Sequence, residues 1–572
     1  MKLRTSYFNP IAFRKDITRF APSWALYTIF LLLTVAPLSS GARLADALAE
    51  CVAPFAALNL LYAFLNAQLL FGDLFSSRMS NALHAMPLRR EGWFLTHVAS
   101  GMAFSLVPNL LVCCVVMPLM GKLFFVAPLI ILAATLQYMF FFGLAAFSAM
   151  CVGKRFAMSL VYGILNFFSM LVCWFVDTLY LPLLTGVTSG YRVCQWLCPV
   201  VQACSQSYIN IETEYVHTGE ISTAVTTFNG LYGESWLYIS VCALVGLALL
   251  GLALVLYRRR KLEMAGDFLA VKPAEPVFLV LFSLTAGVVL QLCYSMFASG
   301  RLSLFLPIGV VIGFFTGRML LRRTVRVFQP KAFLGLAALA VALLASFFLT
   351  WLDPVGITRW LPEVDQVSTV LVNPSAYYGF GIVPEDNIYF FNNSDLVLTN
   401  PEDIEAAIDL HRQILAGEGD TGNGHTTELT LRYILKNGST RDRAYTIYVK
   451  SPPGQLLRNM LSSPEAVFGT GDKETFLARV SGFDYGDFEQ VSLENPIGLV
   501  DALWQDAENG NLPQRWEFYS VEDKTYVDYL TIHLNSGKMI GIQLSLSAEN
   551  TLDWLEENGY FPPADSDPDA WK

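Results

Sequence analysis

Charged residues are scarce in this chain. Only 15% of its 572 residues are Asp, Glu, Lys or Arg, and 54% are hydrophobic. The mean hydropathy is +0.45, whereas a soluble globular protein normally has about 25% charged residues. This composition excludes an ordinary soluble protein and predicts a polytopic α-helical membrane protein.

Cysteine is missing from the C-terminal part, because all ten cysteines precede residue 300. Positive charge is also scarce there. Residues 353–572 have 14 Lys and Arg against 35 Asp and Glu, whereas residues 1–352 have 24 against 13. The acidity excludes nucleic-acid binding by the C-terminal region and indicates that the two regions face different solvents. Pairing among Cys194, Cys198 and Cys204, which fall in one loop, stays open because three is an odd number.

Enzyme motifs are lacking as well. The chain has no GxxxxGK[ST] phosphate loop, no HExxH, no GxSxG and no paired Cys/His metal spacing, and its six His are scattered. We therefore expect no catalytic residue, no metal and no cofactor on this chain.

Long hydrophobic runs predict nine membrane spans, since about 20 apolar residues cross the hydrocarbon core. The predicted spans are Trp24–Ser40, Val52–Phe71, Phe94–Met120, Leu123–Gly153, Phe156–Leu184, Trp236–Tyr257, Pro276–Ser299, Leu302–Leu321 and Ala332–Trp351. They group into a six-span core (24–257), a connector (258–275) and three further spans (276–352).

The basic residues predict the orientation of these spans. With the N-terminus inside, 20 Lys and Arg fall in cytoplasmic segments and four in the outer loops, as retention of positive charge on the inner side requires. The chain is thus expected in the cell membrane, with the acidic domain outside. Residues 1–23 alternate apolar and basic residues, which favours an interfacial amphipathic helix over a cleaved signal peptide.

Several polar residues lie within the predicted spans. Asn59 and Asn66 share one helix face with Gln68 nearby, and Asp177 is the acid deep in a span. The amides either line a substrate path or make hydrogen bonds between helices, and the second alternative is the more economical. Asp177 lies near the outer end of its span, where it either has a proton or cation role or is simply hydrated. Helix packing is also indicated by IGVVIGFFTG, in which Gly309, Gly313 and Gly317 form two GxxxG steps.

The loop between the second and third spans reads FGDLFSSRMSNALHAMPLRREGWFLTHVASG, from Phe71 to Gly101. It is basic and partly apolar, which suits either a small helix presented to a soluble partner or a solvated connector. The segment resembles the corresponding loop of ABC transporter permeases of the type-2 exporter class, where an R..N.LHA.PLRRE.LF run precedes the third span. The N-terminal helix, the six spans and the connector RRRKLEMAGDFLA are similar to Gram-positive members with a large extracellular domain. The first 270 residues carry this resemblance.

The resemblance implies a permease subunit that pairs with a separate ATPase subunit, on which ATP and Mg²⁺ are bound, and with an identical or related second permease. Loop 72–92 would be the helix that couples to the ATPase, and the connector would make a second contact. The residues implied are Arg78, His84, Pro87, Leu88, Arg89, Arg90, Glu263, Gly266 and Asp267.

Residues 353–561 are predicted to form an α+β domain, followed by an acidic tail (562–572). A helix from Asn400 with Pro401 at its first position precedes a hairpin at Asn437-Gly438, and the same order recurs from Asn495. Asn400 to Asn495 is 95 residues and Asn437 to Asn535 is 98. We therefore expect two tandem repeats.

Three classes of function remain at this stage. The first is an ATP-driven exporter subunit that moves a drug, peptide, lipid or cell-wall-related substrate by alternating access. The second is a membrane-anchored sensor whose extracellular domain binds a ligand. A membrane-bound enzyme is disfavoured because no acid, base and nucleophile group together.

Overall fold

The computed structural model describes residues 7–35, 52–84, 89–189, 191–218, 221–260, 264–297, 305–373, 396–420, 425–485, 491–492, 496–512, 526–535 and 539–560. The chain forms two compact units. One consists of Met1–Tyr180 and Ser189–Phe348, and the other of Leu181–Thr188 and Leu349–Lys572. The sequence division at residue 353 did not anticipate that Leu181–Thr188 belongs to the C-terminal unit.

The first unit is mainly helical. Its helices are α1 (Pro10–Arg19), α2 (Ala21–Val35), α3 (Val52–Leu70), α4 (Ser77–His84), α5 (Arg90–Val116), α6 (Val126–Cys151), α7 (Arg155–Asn166), α8 (Phe168–Leu179), α9 (Tyr191–Trp196), α10 (Pro199–Ser205), α11 (Gly233–Arg259), α12 (Glu275–Phe297), α13 (Phe305–Arg322) and α14 (Pro330–Leu352). A hairpin of β1 (Ile209–Thr218) and β2 (Ile221–Leu231) precedes α11. This hairpin was missed by the search for apolar runs.

Six helices in the described part of the chain are long and apolar enough to cross a membrane. They are α5, α6, α11, α12, α13 and α14. Helices α7 and α8 pass the same test as a pair but are bent by 65°, so the predicted fifth span is broken. The first two predicted spans correspond to the shorter apolar helices α2 and α3.

Helix α6 forms the centre of the helical unit and packs on α3 and α11. A close approach of backbones makes this possible. A Cβ atom on Gly143 of α6 would lie 2.3 Å from the carbonyl oxygen of Gly246 on α11, so neither position accepts a larger side chain without movement. This contact brings α6 and α11 together near their middles.

The second unit contains the same arrangement twice. The first half has β3 (Val367–Asn373), β4 (Leu396–Leu398), α15 (Pro401–Leu415), β5 (Thr426–Leu435), β6 (Thr440–Tyr448) and α16 (Pro452–Ser462). After two short helices, α17 (Pro464–Phe468) and α18 (Lys473–Leu477), the second half has β7 (Val480–Tyr485), β8 (Val491–Ser492), α19 (Pro496–Glu508), β9 (Tyr526–Leu534), β10 (Met539–Ser545) and α20 (Glu549–Glu557).

The two sheets have matching strand orders, β4-β3-β5-β6 and β8-β7-β9-β10, with every neighbouring pair antiparallel. Each half has its own apolar core, centred on Leu429, Leu431 and Ile408 in the first and on Leu530, Ile532 and Leu503 in the second. The repeat therefore includes the strand pairs β3–β4 and β7–β8 that precede α15 and α19. The turn residues in the sequence did not predict these strands.

Candidate functional site at the basic end of the bundle

Several connections of the helical unit come together at the ends of α3, α6 and α11 and the starts of α5 and α7. We call this region the basic end. It contains exposed or partly exposed Arg78, Arg89, Arg90, Lys154, Arg155, Arg258, Arg259 and Arg260. Two of the connections, loop 72–92 and the connector after α11, contain the residues that the resemblance assigns to ATPase coupling.

Arg260 joins three of these segments. One of its guanidinium nitrogens, Nη2, donates to the carbonyl of Leu74 at 3.1 Å, and Nη1 donates to the carbonyls of Ala149 and Met150 at 3.0 and 3.3 Å. Arg90 in turn donates to the carbonyl of Arg260 at 3.3 Å. Because a guanidinium has five donors in a fixed plane, one side chain fixes the turn before α4 against the end of α6.

The connector after α11 lies along the end of α6. The Gly266 amide donates to the carbonyl of Gly153 at 2.8 Å, and the Ala270 amide donates to the carbonyl of Cys151 at 2.8 Å. A Cβ atom on Gly153 would lie 2.3 Å from the carbonyl oxygen of Met264 and 2.5 Å from that of Asp267. Only glycine fits at residue 153 with the connector in this position.

Two predicted coupling residues belong to this docked connector. Gly266 has φ +93°, a conformation in which glycine avoids a steric cost. Asp267 pairs with Arg323, which also donates to the carbonyl of Gly266. Glu263 lies outside the described residues.

Helix α4 presents Arg78 and Met79 to solvent, with Met79 45% exposed, while Ser80 on its other side is buried. Arg89 lies over the ring of Tyr7 at 5.1 Å. His84 is the last residue of α4, and Pro87 and Leu88 lie outside the described residues. The structure thus places Arg78, Arg89 and Arg90 with Gly266 and Asp267 at one end of the bundle.

The N-terminal helix is attached to α5 through a buried pair that sequence reasoning missed. Asp16 is 6% exposed, and its carboxylate lies 2.8 Å from His97 Nδ1 and accepts a hydrogen bond from Ser100 Oγ at 2.9 Å. The Asn9 amide donates to Thr96 Oγ1 at 3.1 Å. The sequence feature that could have indicated this pair is the acidic Asp16 on a helix otherwise rich in basic and apolar residues.

A cavity of about 10 Å³ adjoins this pair, which is room for about one water molecule. His97 lines it together with Phe71, Asp73, Trp93 and Tyr257. Within the described residues His97 Nε2 is buried and has no hydrogen-bond partner. The cavity is too small for an organic substrate.

The predicted substrate-path residues do not meet at one place. Asn59 accepts from the Tyr27 hydroxyl at 3.0 Å and donates to the Ala134 carbonyl at 3.0 Å, and it is fully buried. Asn66 donates to Tyr138 Oη at 2.9 Å. These hydrogen bonds join α2, α3 and α6, which is the packing alternative.

The other two candidates for the path lie elsewhere. Gln68 is on the surface and lies 3.4 Å from the carbonyl of Arg155. Asp177 accepts hydrogen bonds from Ser189 and, at 3.4 Å, from the Cys173 thiol. Cys194 on α9, Cys198 directly before α10 and Cys204 on α10 are free thiols.

The three predicted packing glycines of α13 face α12. A Cβ atom on Gly309 would lie 2.7 Å from the carbonyl oxygen of Ala286, one on Gly313 would lie 2.9 Å from the Cα of Ser283, and one on Gly317 would lie 2.9 Å from the side chain of Leu279. The glycine steps therefore form a contact within the chain.

The first half of the C-terminal unit contains a buried His411. Its Nδ1 lies 3.1 Å from Tyr433 Oη and its Nε2 lies 2.7 Å from Tyr445 Oη. Burial, with a smaller effect from Arg443, lowers the pKa of His411 to about 4. The ring is therefore neutral at pH 7 and joins α15 to β5 and β6.

No three His, Cys, Asp or Glu side chains in the described ranges are placed to hold a metal ion. No family model, curated protein or solved structure matches the chain.

Proposed function

We propose that this chain is the transmembrane permease subunit of an ATP-driven exporter in the cell membrane, and that its basic end receives a separate ATPase subunit. The observation that supports this most directly is the exposed helix α4, joined through Leu74 and Arg260 to the ends of α6 and α11. A surface helix on a rigid base suits a docking element for a soluble partner.

The hydrogen bonds of Arg260 would also couple a movement of α4 to the transmembrane helices. Movement of α4 would be transmitted through the guanidinium of Arg260 to α6, the most buried of the six long helices. The connector on Gly153 adds a second attachment at the same end. Closure of an ATPase pair beneath two such subunits would then change the packing of the bundle and exchange inward for outward access.

The topology in this proposal has nine spans, with α2 and α3 as the first two and the bent α7–α8 pair as the fifth. The 20 basic residues of the inner segments against four in the outer loops support a cytoplasmic N-terminus and an acidic unit outside. The hydrogen bonds of Asn59 and Asn66 join α2, α3 and α6. The substrate class stays open among drugs, peptides, lipids and cell-wall precursors.

The test is affinity purification of the full-length chain in mild detergent from its native cells, followed by identification of bound proteins and an ATPase assay. We expect the wild type to recover a nucleotide-binding subunit with ATPase activity. Arg78→Glu with Met79→Glu should lose it, because both side chains are exposed on α4.

The matched control is Lys122→Glu with Leu119→Glu, the same total change of charge on two exposed residues of the turn between α5 and α6, at the other ends of these helices. It should retain the ATPase. Failure of the wild type to recover any ATPase in cells that express such subunits would contradict the proposal and favour the sensor.

A further inference from the structure

The two sheets of the C-terminal unit have four edge strands, β4, β6, β8 and β10. The structure describes three residues of β4 and two of β8, because the residues before β4 and on both sides of β8 lie outside the described ranges. Strand β6 is covered by the segment Leu181–Thr188: the Ala444 amide donates to the carbonyl of Gly186 at 3.2 Å, and Val187 forms an antiparallel bridge with Arg443. The remaining edge is β10, which has seven residues.

The segment Leu181–Thr188 contacts β6 at a position that requires glycine. Gly186 has φ +76°, and a Cβ atom there would lie 2.3 Å from the hydroxyl oxygen of Tyr445. Glycine is therefore required for the segment to reach β6. In the first half of the unit, the backbone edge of β6 thus accepts another segment of the chain through one bridge and one hydrogen bond.

Strand β10 is the counterpart of β6 in the second half. Thr430 pairs with Ala444 in the first hairpin, and Tyr529 pairs with Gln543 in the second. Tyr529 follows Thr430 by 99 positions, and Gln543 follows Ala444 by the same number. The neighbours of Ala444 on β6 are buried, as are Ile542 and Leu544 beside Gln543. This register implies that the backbone N–H of Gln543 points away from β9, as the backbone N–H of Ala444 points away from β5.

Within the described residues nothing pairs with the outer edge of β10. Free edges are normally protected by charge, proline or shortness. The β10 sequence MIGIQLS has no charged residue and no proline, whereas β6, which is covered, contains Arg441, Asp442 and Arg443. In the described part of the C-terminal unit, β10 is therefore an edge strand that has no pairing strand and lacks the usual protection by charge or proline.

We infer that β10 is a docking edge for an extended cationic peptide, which adds to the sheet as an antiparallel strand and accepts a hydrogen bond from the Gln543 amide. Main-chain hydrogen bonds provide the affinity in this mode of recognition. The cationic character follows from the 35 acidic against 14 basic residues of 353–572. A second copy of the chain would instead bring two strongly acidic regions together.

The experiment measures hydrogen exchange of the full-length chain in detergent, with and without an octapeptide of alternating Lys and Val. Without peptide, the outward amides of β10 should exchange rapidly, and with peptide they should be protected. Gln543→Pro removes the outward donor and should weaken binding about tenfold, whereas Gln543→Ala keeps the donor and should bind like the wild type.

A second test changes the peptide and leaves the protein unchanged. It remains informative if the proline variant does not fold. Methylation of the peptide's own backbone amides on its bonding edge should abolish binding. Protection of the outward amides before peptide is added, equal binding of a Glu/Val octapeptide, or unchanged binding of the methylated peptide would each overturn the inference. None of these results depends on whether an ATPase binds the basic end.

Discussion

Arg260 donates a hydrogen bond to the backbone carbonyl of Leu74, a residue 186 positions earlier in the chain. The same guanidinium donates to Ala149 and Met150 at the end of α6. Three separate segments of the basic end thus depend on one side chain, and a lysine has neither the planar shape nor the number of donors to replace it.

Arg260→Lys should therefore release the turn before α4. Loss of these hydrogen bonds, which leaves buried carbonyls without donors, should cost about 2–4 kcal/mol. Hydrogen exchange should increase in residues 72–84 and at the end of α6. Arg259→Lys is the control, because Arg259 is exposed, and equal exchange in both variants would refute the role of Arg260.

Gly153→Ala should displace the connector from α6. The new Cβ atom would meet two backbone carbonyl oxygens, neither of which can rotate away as a side chain would. Limited trypsin digestion after Arg258 and Arg259 should then be faster than in the wild type. Gly163→Ala, within α7 and with nothing within 4 Å of the new atom, should leave cleavage unchanged. Equal cleavage of all three proteins would show that the connector is not held by Gly153.

Gly313→Val should separate α13 from α12. The larger side chain would meet the backbone of Ser283 and the side chain of Ala286, and overpacking of this kind typically costs about 1–3 kcal/mol. The midpoint of thermal unfolding in detergent should fall. Gly251→Val on α11, where a Cβ atom meets nothing within 4 Å, should have a much smaller effect, and a reversed order would contradict the packing described.

Acid should weaken the first half of the C-terminal unit through His411. The pKa of this residue is about 4 in the folded protein and about 6.5 when unfolded. The unfolded state therefore binds a proton that the folded state does not. The contribution to stability is complete above pH 6.5 and is lost as the pH falls towards 4.

Hydrogen exchange of α15 measures this loss. Between pH 7 and pH 5 the free energy of opening should fall by about 2 kcal/mol more in the wild type than in His411→Gln, which cannot titrate. The variant should be less stable at pH 7, since the glutamine does not reproduce the ring between two tyrosine hydroxyls. Parallel pH profiles for the two proteins would contradict the assignment.

Elements encoded by local pattern could be predicted from the sequence. Apolar runs located the long helices, and Asn-Pro and Asn-Gly signals located α15, the β5–β6 hairpin and their repeated counterparts. Strands β4 and β8 were not predicted, and the two or three residues of each that the structure describes carry no periodicity. Their pairing with β3 and β7 is decided by tertiary contacts.

Long-range partners could not be predicted. Asp16 and His97 are 81 residues apart, and periodicity assigns each to a helix face without identifying its neighbour. At the bend after α7, the carbonyl of Asn166 accepts a hydrogen bond from the thiol of Cys198, 32 residues later, another contact that no local pattern predicts. The grouping of loop 72–92 with the connector came from a family resemblance, and its contacts through Arg260 required the structure.

Site-specific photo-crosslinking in cells tests the central claim most directly. A photoreactive amino acid at Met79, which is 45% exposed on α4, is compared with one at Leu119, which is 50% exposed in the turn after α5. We expect an adduct with a nucleotide-binding ATPase subunit from residue 79 and none from residue 119. Absence of such an adduct from residue 79, with the ATPase subunits present, would contradict the docking of an ATPase at the basic end.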